Sequence, residues 1–458
     1  MLDLMIKNGT VVNANGSAKQ DVGIKDGKVV MLGDSAYFPE SKEVIDAKGQ
    51  YVLPGFIDSH VHVNLKMGEF TTLDSFYNAS LAAAFGGTTT MVEFAIPYKG
   101  ETPLDAVVRR KEEADNQSVI NYSFHGCVTN GNDESYRDVA ELITGGIPTI
   151  KMFTVYKDVV MVGKGEILQV LKIIKEKGGL AKFHAESDDI IDYQINEFIK
   201  NGKTTPMYHP LSRPSIAEAE AVSSLLTLIE HTEAPAIFVH MSTGMVKEQL
   251  KTYRNRLPVF TEVCPHYLML SDQFYNGEDG QNYICSPPLR PAHEIDGLWE
   301  MVQSGLIDVI NSDHCCYDTE QKNKYKTEFY KAPNGLPGIE TRGTVFFSEA
   351  VMKNRITINQ FVDFTSTKAA KLMGMYPKKG VIGIGSDADV VVFDPRTRFQ
   401  ITAQNLHMQT DYTPFEGFEV TGSPVHTIIN GKHIIANGNL KDDSFRGQFI
   451  KRGKPILN

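Results

Sequence analysis

Residues 53–63 read LPGFIDSHVHV. An apolar run carries Asp58, His60 and His62 at alternating positions, and alternate side chains of an extended strand share one face. All three therefore project to the same side where the strand ends. Two imidazoles so placed suit a divalent metal ion, and Asp58 suits the polar shell that supports them. Alone the pair is weak evidence, since a histidine after an apolar run is more often a hydrogen-bonded core or surface residue. The test is whether other strands end in the same way.

Seven more apolar, β-branched runs follow: GGTTTMVEFA (86–95), VINYSFHGCV (119–128), GIPTIKMFTVY (146–156), AKFHAE (181–186), AIFVHMS (236–242), PVFTEVC (258–264) and IDVINSDH (307–314). Helical segments such as EILQVLKIIKEKG (166–178) and EAEAVSSLLTLIEH (218–231) separate several of them, with apolar residues recurring at three and four positions. Eight strands alternating with helices predict an α/β fold, a TIM-type (β/α)8 barrel. No GxGxxG or GxxxxGK[ST] fingerprint follows a strand, which argues against a nucleotide-binding doubly wound sheet. Both ends of the chain have a different texture. LDLMIKNGTVVN (2–13) and DVGIKDGKVVMLG (21–33) carry turn signals at Asn8 and Asp26, and ADVVVFDP (388–395) and HTIINGKHIIANG (426–438) repeat the pattern. The expected organisation is a small β-sandwich built from residues 1–52 and 376–458, with the barrel over 53–375.

The chain of 458 residues carries 56 acidic against 46 basic residues, a formal charge of -10 without long runs of one sign. That balance gives no electrostatic case for a nucleic-acid partner. No apolar stretch approaches the roughly 20 residues needed to span a bilayer, so no membrane partner is expected. The N-terminus MLDLMIKNGT lacks the pattern of a signal peptide, and the cytoplasm is the expected location. Five scattered cysteines fit reduced thiols, and the adjacent Cys315 and Cys316 read as packing residues.

The ends of the predicted strands are one-sided. His60 and His62 end the first, Lys151 lies in the fourth, and His184, His240 and Asp313 end the fifth, sixth and eighth. The active site of such a barrel lies at this C-terminal face. Four histidines and an aspartate there are hard to explain by packing. They suit zinc, and would also hold manganese, nickel or cobalt. Two divalent ions need more negative charge than Asp313 provides, which draws attention to Lys151. A buried lysine has a depressed pKa and reacts as the free amine with carbon dioxide, giving an anionic carbamate whose two oxygens would bridge the ions. The bland alternative is a strand lysine that snorkels to solvent.

Several strings together resemble the amidohydrolase superfamily: DAKGQYVLPGFIDSHVH (46–62), IKMFTVYK (150–157), FHAE (183–186), FVHMS (238–242), SDH (312–314) and GSDADVVVFDP (385–395). YHPLSRP (208–214), CPHYL (264–268), CSPPLR (285–290) and PNGLPGIETR (333–342) resemble its cyclic-imide branch of dihydropyrimidinases and D-hydantoinases. The resemblance implies hydrolysis of a cyclic ureide to an N-carbamoyl amino acid. It further implies two divalent ions, with zinc or manganese bridged by N6-carboxylated Lys151, and ligands His60, His62, His184, His240 and Asp313. A hydroxide held between the ions would attack the ring carbonyl, with Asp313 as general base and then acid. Tyr156 falls where this branch carries an oxyanion-stabilising tyrosine, and the backbone at Ser286 and Asn334 falls where relatives bind the imide edge. The loops after strands one and four are expected to cover the pocket, with Leu65, Phe153 and Val159 touching the ring substituent. A homotetramer is the implied assembly. Rival readings are an allantoinase or L-type hydantoinase on the same fold, a non-catalytic relative, and a mononuclear deaminase that has no need of Lys151.

Overall fold

In the computed structural model, which describes residues 1–458, the run before His62 forms strand β1 (Phe56–Val61), buried at every position. The other barrel strands are β2 (Thr88–Ala95), β3 (Asn121–Cys127), β4 (Thr149–Phe153), β5 (Leu180–His184), β6 (Ala236–Phe238), β7 (Val259–Val263) and β8 (Val309–Ile310). Each pairs in parallel with its predecessor. The ring closes where Val61 bridges His314 in parallel and the His62 N–H donates to the His314 carbonyl at 2.7 Å. Strands covered on both faces read as continuous apolar runs, which is why the eight were visible in the sequence.

The helices between them present the predicted stripes. In the helix Lys164–Lys177 the buried residues are Ile167, Val170, Leu171 and Ile174, and burial of each side chain stabilises the packed helix by about 1.5–3 kcal/mol. That helix stops at Gly178, which adopts φ 76°, a left-handed conformation that glycine enters without a Cβ penalty. No helix is long and apolar enough to cross a membrane.

The two ends of the chain form sheets of their own. One has four strands in the order Lys28–Gly33, Asp21–Lys25, Leu2–Lys7, Ser41–Asp46. The other has seven and joins Thr10–Asn13, Gly16–Lys19 and Tyr51–Pro54 to Val390–Gln400, Glu419–Ile429, Lys432–Ala436 and Asn439–Leu440. Their shared core contains Leu4, Ile6 and Val22 from one terminus and Val390, Val392 and Ile428 from the other. Asp26 makes the hairpin its DG signal predicts. Asn8, at φ 64°, instead passes the chain from the first sheet to the second. Tyr51–Pro54 pairs with Val390–Phe393, so the chain leaves this sheet at Gly55, slightly beyond the expected division at 53. A Cβ on Gly55 would sit 2.1 Å from Thr89 Oγ1, so only glycine permits that close passage into β1.

The C-terminal tail closes the far end of the barrel. Ile450 N–H donates to the Tyr122 carbonyl at 2.7 Å. The buried Arg452 donates to Ser123 Oγ at 2.9 Å and Thr149 Oγ1 at 2.8 Å, at the starts of β3 and β4. The opposite face is left for chemistry.

Candidate metal centre and substrate cavity

The structure brings His60, His62, Lys151, His184, His240 and Asp313 to that face. The ligand atoms of His60, His62 and Asp313 lie within 4.8 Å of one another. Asp313 Oδ1 is 3.0 Å from His60 Nε2 and 3.3 Å from His62 Nε2. The His184 ring centroid is 4.5 Å from that of His240, which is 5.3 Å from that of His60. His60 Nε2, His62 Nδ1 and His240 Nδ1 are buried without a hydrogen-bond partner. Buried lone pairs left unmatched are costly, and converging nitrogen and carboxylate donors fit a divalent cation. Burial pushes the His62 imidazole down to about 4 and lowers His184 and His240 as well, so they stay neutral, as metal ligation requires. Against the upward push of burial, His60, His62 and His240 hold the Asp313 carboxyl well below the usual carboxylate range.

Three of the residues here have backbones in the sparsely populated left-handed region: Asp313 (φ 49°), His240 (φ 39°) and Tyr156 (φ 69°). Such conformations cost about 1–3 kcal/mol and persist where neighbours enforce them. At Tyr156 the enforcing contact is its N–H, which donates to Asp188 Oδ1 at 2.9 Å.

Lys151 is 1% exposed, and its Nζ stands over the rings of Phe94 (4.7 Å) and Phe153 (5.0 Å). Burial, aided by the nearby Lys182, lowers its ammonium to about 7. Lys182 is equally buried but is matched, donating to the Ser59 carbonyl at 2.6 Å and facing Glu262 at 3.5 Å.

Behind the histidines is a layer of carboxylates, of which sequence reading singled out Asp58 but neither Glu262 nor Glu186. Glu262 on β7 accepts from His60 Nδ1, from Asn311 Nδ2 at 2.7 Å and from the His240 N–H at 3.2 Å. Burial opposes its ionisation, yet His60 and Lys182 hold its carboxyl at about 2. Glu186 Oε2 is 2.7 Å from His184 Nε2 and accepts from Arg213 at 2.6 Å. Asp58 lies beneath, accepting from the Ser312 N–H at 3.2 Å and facing Arg342 at 3.4 Å. The signal for Glu262 was a carboxylate inside the apolar run PVFTEVC. Because such partners fix the orientation and basicity of ligating histidines, Glu262→Gln is expected to weaken metal affinity about 10–100-fold. Titrating metal into the apo protein, with competition by a chelator, checks this; unchanged affinity would show that Glu262 is only a core residue.

A second buried cluster, Asp74, His314 and Cys316, is saturated by hydrogen bonds. His314 Nε2 faces Asp74 Oδ2 at 2.9 Å, and Gly338 N–H donates to His314 Nδ1 at 3.2 Å. Cys316 Sγ donates to Asp74 Oδ2 at 3.1 Å, and Gln409 N–H donates to Asp74 Oδ1 at 2.9 Å. Cys316 thus does more than pack: the cluster is a strut fixing the segment that carries Asp313.

In front of the histidines is a cavity of about 300 Å³. Its lining includes Tyr156, Ser286, Asn334, Leu65, Phe153 and Val159, the residues expected to meet substrate. Ser286 Oγ donates to Asn334 Oδ1 at 2.8 Å. The Arg213 guanidinium lies 5.2 Å from the Tyr156 ring centroid. Burial raises the Tyr156 phenol, so it remains a proton donor. Two details differ from expectation. Phe153 belongs to β4 itself, because its backbone pairs with His184. Val159 is 64% exposed at the rim, and the buried apolar wall is supplied by its neighbour Val160.

Comparison with known proteins agrees with this geometry. The model of the amidohydrolase family matches residues 51–434. A D-hydantoinase from Geobacillus stearothermophilus is 40% identical over 456 residues, 98% of this chain and 96% of that protein. A D-phenylhydantoinase from Escherichia coli (strain K12) is 40% identical over 462 residues, 99% of each chain. The crystal structure of a dihydropyrimidinase from Brevibacillus agri NCHU1002 superposes with a TM-score of 0.97 at 38% identity, covering 99% of both chains. Family, full-length relatives and fold agree, and the chain belongs to the amidohydrolase family, on its D-hydantoinase and dihydropyrimidinase branch of cyclic amidohydrolases.

Proposed function

We propose that the protein hydrolyses one ring amide of a cyclic ureide, a dihydropyrimidine or a 5-substituted hydantoin, to an N-carbamoyl amino acid. The observation that carries this is the convergence of His62, His184, His240, Lys151 and Asp313 at the floor of one cavity, with His60 buried against Asp313 and Tyr156, Ser286 and Asn334 in the lining. His60, His62, His184, His240 and Asp313 would hold two divalent ions, zinc or manganese, with carboxylated Lys151 between them. Those ions, when bound, make water nucleophilic at neutral pH and polarise the carbonyl.

The protein's own groups do the rest. An ammonium lowered to about 7 by burial leaves a substantial free-amine fraction at physiological pH, and the amine adds carbon dioxide with loss of one proton to give the carbamate. The backbone at Ser286 and Asn334 holds the imide edge of the ring, and Leu65, Phe153 and Val160, with Val159 at the rim, meet its substituent. Asp313 accepts the proton lost as water oxygen bonds to the ring carbonyl carbon, and returns it to the ring nitrogen as the C–N bond breaks. The Tyr156 hydroxyl donates to the carbonyl oxygen as negative charge builds there. All five cysteines are free and buried, which supports a reducing, cytoplasmic setting; a homotetramer is the assembly we adopt for the working enzyme.

The test pairs metal stoichiometry of the purified protein with hydrolysis of dihydrouracil, phenylhydantoin and allantoin. Two ions per chain with turnover of the first two substrates is the expected result. Preference for allantoin would move the chain to an allantoinase. No turnover after supplying zinc or manganese with bicarbonate would overturn the reading.

A further inference from the structure

Lys322 is fully buried on the short helix Thr319–Asn323, beyond Asp313 in the chain. A buried ammonium normally finds a carboxylate. This one meets three backbone carbonyls instead: Ile284 at 2.8 Å, Pro333 at 2.9 Å and Gly335 at 2.8 Å. An ammonium has three protons to donate, and all three are used. Without a counter-ion, burial pushes the group down to about 7, so the arrangement has an electrostatic cost that carbonyls facing water would avoid.

The three carbonyls are not scattered. Pro333 and Gly335 flank Asn334, and Ile284 lies two residues before Ser286. Further contacts tie the same two segments together. Gly335 N–H donates to the Ile284 carbonyl at 3.0 Å, and Ser286 Oγ donates to Asn334 Oδ1. Gly335 itself adopts φ 150°, and a Cβ there would lie 2.5 Å from the Cys315 carbonyl oxygen, so no other residue lets the segment approach so closely. A trans peptide is planar, with its N–H directed opposite its C=O. Drawing the Pro333 carbonyl onto Lys322 therefore directs the Asn334 N–H away from Lys322, and that N–H has no backbone acceptor within the protein. The helix carrying Lys322 is itself anchored: Asp318 and Gln321 form a capping box, Gln321 donates to the Thr71 carbonyl at 3.0 Å, and Thr319 N–H donates to Asp411 at 2.9 Å.

We infer that Lys322 is a positioning residue for substrate: by gathering three carbonyls at one point, it aims the backbone at Ser286 and Asn334 toward the ring. The inference rests on the function proposed above for those two residues, and its test separates the two. Lys322→Met removes all three donors at similar volume, and Lys322→Gln keeps a shorter, neutral donor. With metal-loaded protein and phenylhydantoin, KM is expected to rise about tenfold or more in Lys322→Met and less in Lys322→Gln, with kcat within about threefold of wild type. Metal content should not change. In metal-free, substrate-free protein, amide exchange over 284–287 and 333–336 should accelerate in the same order, Met above Gln above Lys, while β1 to β7 keep their protection. Unchanged exchange in these segments, or a loss confined to kcat, would overturn the inference. Should Lys322→Met not fold, the comparison of wild type with Lys322→Gln decides by the same readings. If wild-type protein hydrolyses no cyclic ureide, the proposed function fails, and exchange alone then judges whether Lys322 orders the two segments.

Discussion

Lys151→Ala is expected to lower kcat/KM by about 10³-fold or more, since interactions worth several kcal/mol in the transition state would depend on the ions that carboxylated Lys151 is proposed to help hold, and to leave the protein short of metal. The reasoning starts from charge. The candidate metal centre offers four imidazoles, two of them lowered by burial and a third held at about 4, and a single carboxylate, Asp313. Two divalent cations would leave that site with a large uncompensated positive charge. Lys151 supplies the missing anion only as its carbamate, and its surroundings favour the neutral amine from which the carbamate forms: it is 1% exposed, faces two aromatic rings and lies beside the cationic Lys182. A lysine that merely filled space would behave differently, since alanine would leave a small hole and an intact metal site. Metal analysis and kinetics on the variant, with and without a short carboxylic acid, separate the cases. The hole left by the side chain can admit propionate, whose carboxylate stands in for the carbamate, so partial rescue by the acid is expected. Full activity with one ion per chain would end the two-ion proposal and favour a mononuclear enzyme.

The sequence shows some parts of this site plainly and others not at all, and the difference is physical. His60 and His62 could be read because strand alternation is local: two residues of spacing fix a shared face without knowledge of the rest of the fold. His184, His240 and Asp313 could be read because each ends an apolar run, and a barrel buried on both faces writes its strands as such runs. Glu262 could not, because its role is set by His60, 202 positions away, and nothing in VFTEV says which neighbour its carboxylate meets. Lys322 is the sharper case. It stands in TEQKNKYK, a stretch that looks like solvated surface, and is buried only because the segments around Ile284 and Pro333 fold over it. Local signals likewise located the turn at Asn8 but not its consequence: the NG pair looks like a hairpin, yet the strands on either side belong to different sheets.

Asp313→Asn is expected to reduce kcat by about 10³-fold, within the range that a positioned proton carrier contributes, with a smaller change in KM. Asparagine keeps the shape and one oxygen toward His60 and His62, which now lie 3.0 and 3.3 Å from Asp313 Oδ1, but it cannot take up a proton. Two roles are proposed for the carboxylate, and they would fail differently. As a ligand its loss weakens metal binding, which excess zinc restores. As a proton carrier its loss persists at saturating zinc, because no other carboxylate reaches the cavity: Glu262 and Glu186 are fully buried behind the histidines they orient. The backbone supports the second role as well. Asp313 is held at φ 49° between Ser312, whose N–H is fixed by Asp58, and His314, fixed by Asp74, an expensive arrangement for a group that only had to reach a cation. The deciding measurement is kcat at saturating zinc for two ureides whose leaving nitrogens differ in basicity. In the proposed mechanism the carboxyl delivers a proton to that nitrogen, so the variant should lose more with the more basic leaving group. An equal loss on both substrates, or recovery of kcat with zinc alone, would leave Asp313 a ligand and assign the proton transfer elsewhere.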